Sequence, residues 1–122
     1  MKMTVLLIED NAHNRYLTTF LLEKDGFDVI CADNGPAGLE LARTHRPDVI
    51  LLDIQLPRMN GYEVAQRVRD IDFLATTPVV AVTSHAMGGD RERALEAGCT
   101  GYIEKPIDPE TFVSSIRTYV AS

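Results

Sequence analysis

Three carboxylates, a hydroxyl and an ammonium group each stand just after a short apolar run in this sequence. Glu9-Asp10 follow Val5-Leu6-Leu7-Ile8, and Asp53 follows Val49-Ile50-Leu51-Leu52. Thr83-Ser84 close the run beginning at Val79, and Glu104-Lys105-Pro106 follow Tyr102-Ile103. If the runs are parallel strands of one sheet, all these groups meet at one edge. Two unit charges ~4 Å apart repel by about 4 kcal/mol at an effective dielectric near 20. A divalent cation relieves that repulsion, and hard oxygen donors suit Mg²⁺. Such a cation neutralises charge on a phosphoryl group in transfer. Asp53, at the pocket centre, is the expected nucleophile towards phosphorus. Lys105 supplies a further positive charge, and the Thr83 hydroxyl is placed to hydrogen-bond a phosphoryl oxygen.

The elements that must position these residues follow from hydrophobic periodicity. Strands are predicted at Val5–Ile8, Asp28–Ala32, Val49–Leu52, Val79–Thr83 and Tyr102–Ile103. Helices are predicted over Tyr16–Lys24, Pro36–Arg43, Tyr62–Asp70 and Arg91–Ala97, with a last one opened by Pro109 and running to Tyr119. Asn34 is placed to cap the second helix, and Gly26 to end the first. The run Val49–Leu52 is apolar at every position, as strands covered on both faces are. Alternating strands and helices give an α/β fold with a parallel sheet and helices on both faces.

Composition narrows the classes. The chain has 122 residues, enough for one domain spanning residues 1–122. Twelve Lys and Arg against 18 Asp and Glu give a net charge of -6, which argues against a nucleic-acid surface. No apolar run is long enough to span a membrane. Cys31 and Cys99 have no metal-ligand spacing, so free thiols in the cytoplasm are expected. His13 and His45 read as surface residues. Nothing follows the last helix, so no output domain is expected.

The whole chain resembles the receiver domains of bacterial response regulators. The resemblance is carried by Leu7-Ile8-Glu9-Asp10-Asn11, Pro47-Asp48-Val49-Ile50-Leu51-Leu52-Asp53 and Leu56-Pro57-Arg58-Met59-Asn60-Gly61. Val80-Ala81-Val82-Thr83-Ser84 and Tyr102-Ile103-Glu104-Lys105-Pro106 complete it. It implies a flavodoxin-like, CheY-like sheet of order 2-1-3-4-5. It implies Mg²⁺-dependent phosphotransfer to Asp53 from a phosphohistidine on a sensor histidine kinase or histidine phosphotransfer protein. Asp10 would bind the metal directly, Glu9 through water, and Gln55 through its backbone carbonyl. Thr83 and Lys105 would bind the phosphoryl group. Tyr102 would be an aromatic switch reshaping the face of helix four, strand five and helix five, where a downstream protein docks. The segments Asp53–Pro57 and Ala86–Arg93 look most like single-domain regulators of the DivK type, active in cell-cycle signalling. A monomer or weak dimer is expected.

Gln55 and His85 stand two residues past Asp53 and Thr83, and are expected to tune loss of the phosphoryl group. A hydrolase of the haloacid-dehalogenase type is the contrasting reading. That chemistry uses a second acid two residues past the nucleophile, where this chain has Gln55. A receiver cut from a longer regulator or hybrid kinase would share the same motifs.

Overall fold

The structure is a computed structural model that describes residues 2–57, 59–83 and 90–121. Five strands alternate with five helices: β1 (Thr4–Ile8), α1 (Ala12–Lys24), β2 (Asp28–Ala32), α2 (Gly35–His45), β3 (Val49–Asp53), α3 (Gly61–Arg69), β4 (Val79–Thr83), α4 (Asp90–Glu96), β5 (Gly101–Glu104) and α5 (Phe112–Ala121). A short 3-10 turn, Asp72–Leu74, lies between α3 and β4. The strands form one sheet of order β2-β1-β3-β4-β5, and every neighbouring pair is parallel. This is the order the resemblance implied.

The two faces of the sheet are written in alternate residues of each strand. Leu6, Ile8, Ile50, Leu52, Val79 and Ala81 point to one face, where they pack with Leu39 and Ala42 of α2, Val64 and Val68 of α3, and Ala94 of α4. Val5, Leu7, Val49, Leu51 and Val80 point to the other, against Leu22 of α1 and Phe112 and Ile116 of α5. Most of these side chains are wholly buried. Each fully buried aliphatic of this size contributes about 1.5–3 kcal/mol, so the sheet is a rigid platform for what its ends carry.

Helix starts follow local hydrogen bonding. The Asn34 side chain accepts from the Ala37 amide at 2.9 Å, the expected cap. Asn60 caps α3 in the same way, accepting from Glu63 N at 3.0 Å. Two starts differ from the predicted ones by more than one residue. Helix α1 begins at Ala12, ahead of Tyr16, because Asn11 accepts from Asn14 N at 2.9 Å and opens a polar first turn without apolar periodicity. Pro109 does not open α5. The Asp108 carboxylate takes the Glu110 amide and its carbonyl takes the amides of Thr111 and Phe112, forming a turn before the helix begins at Phe112. Cys31 is exposed, Cys99 is buried, and both are free. Among the described residues, no helix is long and apolar enough to cross a membrane.

One glycine holds the loop after β3 in place. Its amide donates to the Ile54 carbonyl at 2.9 Å. A Cβ on Gly61 would lie 2.5 Å from Ile54 Cα and 2.8 Å from the Asp53 carbonyl oxygen, both backbone atoms. Gly61→Ala is therefore expected to cost about 1–3 kcal/mol, the usual range for overpacking. A urea midpoint equal to that of the unsubstituted protein would show that the loop yields freely.

Candidate metal centre

Parallel pairing puts the carboxyl ends of β1, β3, β4 and β5 at one edge of the sheet. The chain leaves β1 towards β2 and then returns to the opposite side for β3. Strand order thus reverses beside β1, where open α/β sheets leave a crevice for ligands. Glu9 and Asp10 follow β1 on one side of that crevice, and Asp53 ends β3 on the other.

The three expected carboxylates do come together. One carboxylate oxygen from each of Glu9, Asp10 and Asp53 lies within 4.8 Å of the others. Asp10 is exposed, while Glu9 and Asp53 are each only 4% exposed. Lys105 reaches over from the end of β5. Its Nζ lies 2.9 Å from Glu9 Oε1 and 3.4 Å from Asp53 Oδ2. The peptide bond that follows, Lys105–Pro106, is cis. Thr83 is buried at the end of β4, and its carbonyl accepts from the Lys105 amide at 2.7 Å. That bond ties the loop carrying Lys105 to the strand carrying Thr83.

Backbone donors orient the acids. The Gln55 amide donates to Asp53 Oδ1 at 2.9 Å, and the Asn11 amide to Glu9 Oε2 at 3.2 Å. Gln55 itself is exposed on the loop after Asp53. Tyr102 is half-buried on β5, opposite Ala81 of β4, and packs on the cluster beneath α2, α3 and α4. His13 and His45 are exposed, as expected. Ser84 and His85 lie outside the described residues, as does the stretch from Ala86 to Gly89.

The electrostatics express crowding. Burial, followed by the hydrogen bond and charge of Glu9, pushes the Asp53 carboxyl up from 3.8 to about 7, against the opposing pull of the Gln55 amide and Lys105. Burial also acts to raise Glu9. The hydrogen bond from Asp53 and the contacts with Lys105 and Asn11 outweigh it, and Glu9 ends below its ordinary value. The two carboxyls are therefore driven apart, Asp53 upward and Glu9 downward, in the way of closely spaced dicarboxylates. Burial would lower Lys105, but its two carboxylate partners prevail and raise it. The Lys105 ammonium is the cation in contact with Glu9 and Asp53.

One contact at this edge was not anticipated from the sequence. Arg15, in the first turn of α1, donates from Nη1 to the carbonyls of Glu9 (2.9 Å) and Asp10 (3.1 Å). Its sequence signal is a basic residue in a helical turn where the macrodipole favours acids.

Known proteins match this arrangement along the chain. Residues 5–117 match the family described as the response regulator receiver domain. The polar-differentiation response regulator DivK of Brucella anthropi is 46% identical over 120 residues, covering 98% of both chains. The receiver domain of a sensor histidine kinase from Pseudomonas aeruginosa, with a magnesium ion coordinated in its active-site cleft, is 30% identical. It superposes with a TM-score of 0.92 over 100% of both chains. The chemotaxis protein CheY4 of Vibrio cholerae is 28% identical, with a TM-score of 0.94 over 98% of this chain and 99% of its own. A sheet of this order, an acidic cluster at its reversal point and a likeness to receivers end to end lead to one conclusion: the chain belongs to the family of response regulator receiver domains of two-component signalling.

Proposed function

We propose that the chain acts as one receiver domain, residues 1–122, that accepts a phosphoryl group on Asp53 from a phosphohistidine. The observation that carries this reading is a buried Asp53 carboxylate clustered with Glu9 and Asp10 and bridged to Glu9 by the Lys105 ammonium. One Asp53 oxygen attacks phosphorus in line. A P–O bond forms, the P–N bond breaks, and the electron pair leaves with the donor imidazole. The donor set fits Mg²⁺, with its preference for carboxylate and carbonyl oxygens. Asp10 and Asp53 would hold it directly, Glu9 through water, and Gln55 through its backbone carbonyl. Bound there, the ion neutralises charge on the transferring group. Lys105 and Thr83 then bind phosphoryl oxygens. The chemistry is confined to this self-modification.

Phosphorylation adds little net charge to a carboxylate but adds three acceptor oxygens. The signal must therefore travel by geometry. Thr83 moves towards the phosphoryl group, Tyr102 turns into the space released, and the face of α4, β5 and α5 takes a second shape for a protein target. An unchanged Tyr102 ring in a beryllofluoride complex would remove this route. The donor is a sensor histidine kinase or a histidine phosphotransfer protein, met in the cytoplasm by a monomer or weak dimer. The acidic chain engages no nucleic acid. Likeness to DivK supports a place in cell-cycle and polarity signalling.

The test is to incubate the protein with Mg²⁺ and acetyl phosphate and weigh it intact. A gain of one phosphoryl group, lost when the metal is chelated, is expected. No gain from small donors or from phosphorylated histidine proteins would overturn the reading.

A further inference from the structure

We propose that Arg15 is the positioning residue of the acidic pair, holding Glu9 and Asp10 open for the cation. The inference rests on the cluster being a Mg²⁺ site. The guanidinium stands five residues from Asp10 and six from Glu9. Two carboxylates lie within that short reach, yet among the described residues no ion pair includes Arg15. Its Nη1 instead takes the backbone carbonyls of the same two residues, at 2.9 and 3.1 Å. Arg15 thus adds no second cation to the carboxylate oxygens, of which Lys105 already meets one on Glu9 and one on Asp53.

The part-buried Glu9 carbonyl gains a donor in Arg15, while the bond to the Asp10 carbonyl is exposed. The Glu9 amide is the last to pair with β2, donating to the Ala32 carbonyl at 3.0 Å, and the chain then turns away from the sheet. Asn11 already spends its side chain on the Asn14 amide and its carbonyl on the Arg15 amide. By bonding both carbonyls, Arg15 ties the peptide planes that follow residues 9 and 10 to the first turn of α1, and so restrains the backbone from which both side chains leave. A cation in the first helical turn runs against the helix macrodipole, a cost accepted here for that bridge. Both bonds come from the one nitrogen Nη1 of a planar guanidinium whose charge is spread and weakly hydrated. A lysine ammonium, on a mobile stem, would be drawn to the carboxylates and compete with Mg²⁺.

The test is calorimetric titration of Mg²⁺ into the unsubstituted protein, Arg15→Lys and Arg15→Ala, alongside acetyl phosphate labelling across Mg²⁺ concentrations. Both variants are expected to bind Mg²⁺ about tenfold more weakly, the range for losing a group that orients metal ligands. Their labelling rates at saturating Mg²⁺ should return close to that of the parent. Mere loss of fold would lower the maximal rate instead. Arg15→Lys decides alone if Arg15→Ala does not fold. Unchanged or tighter Mg²⁺ binding in a folded variant, or a maximal rate that saturating Mg²⁺ does not restore, would overturn the proposal. Absence of Mg²⁺ binding in the unsubstituted protein would count against the metal site itself, not against the role of Arg15 within it.

Discussion

Asp53→Asn is expected to abolish phosphoryl uptake and, in metal-free protein, to raise stability. The first effect is loss of the proposed nucleophile, because an amide oxygen forms no stable bond to phosphorus under these conditions. The second follows from the crowding of Asp53 against Glu9. Asparagine has the shape of the protonated acid, and its amide can donate to Glu9 as the protonated carboxyl does. The folded state raises Asp53 from 3.8 to about 7. A raised carboxyl holds its proton more tightly folded than unfolded, so its contribution is fully present at low pH and is lost as pH rises towards about 7. Asparagine does not titrate. The advantage of the variant should be near zero at acid pH, grow between about pH 4 and 7, and level off above. Its plateau is expected at about 2 kcal/mol, allowing for relaxation of a coupled pair, or roughly 8 °C in Tm. Mg²⁺ should shrink the difference by stabilising the parent more than the variant, which keeps Asp10 but loses one carboxylate of the cluster. Thermal denaturation across this pH range, with and without Mg²⁺, reads all of this. A variant less stable than the parent at pH 8 would show that Asp53 is not under like-charge strain.

Lys105→Met should act in the opposite direction on the fold. Its ammonium is held by Glu9 and Asp53, and its side chain is only 17% exposed. A raised lysine contributes stability throughout the range below its ordinary value and loses it only in strong alkali, so the contribution is whole at neutral pH. Breaking a buried pair commonly costs 3–5 kcal/mol, and partial exposure here reduces the expectation to about 2 kcal/mol. The loss should be larger at pH 8 than at pH 5, where Asp53 carries a proton and leaves one uncompensated carboxylate rather than two. Mg²⁺ affinity should hold or rise, since Lys105 competes with the metal for the same oxygens. Urea unfolding at both pH values, with Mg²⁺ titration beside it, checks the pair of effects. Unchanged stability at pH 8 would mean that solvent already screens the contact.

How much of this was legible in the sequence depends on the range of the interaction. Val49–Leu52 announces a buried strand because every residue is apolar, and the strand ends announce the site because chemistry-bearing residues follow each run. Asn34 caps α2 as its type suggests. Sheet order is different in kind. Nothing in the period of Val5–Ile8 says that β1 sits between β2 and β3, and only the likeness to receivers supplied it. The start of α1 is obscured because Ala12, His13 and Asn14 carry no apolar stripe, and the start of α5 because Pro109 suits a turn as well as a first helical residue. The bridge from Lys105 to Glu9 spans 96 residues and depends on the sheet being assembled first. The bonds from Arg15 are local, yet they go to backbone carbonyls, which side-chain patterns do not reveal.

The most direct measurement on the central claim locates the phosphoryl group. Protein labelled with acetyl phosphate and Mg²⁺ is reduced with borohydride, which converts an aspartyl phosphate to homoserine, and is then digested for peptide mass mapping. The expected result is homoserine at position 53, with Glu9 and Asp10 unmodified. Reduction at Asp10 or Glu9, or a label that resists borohydride and maps to His13 or His45, would contradict the assignment of Asp53 as the acceptor.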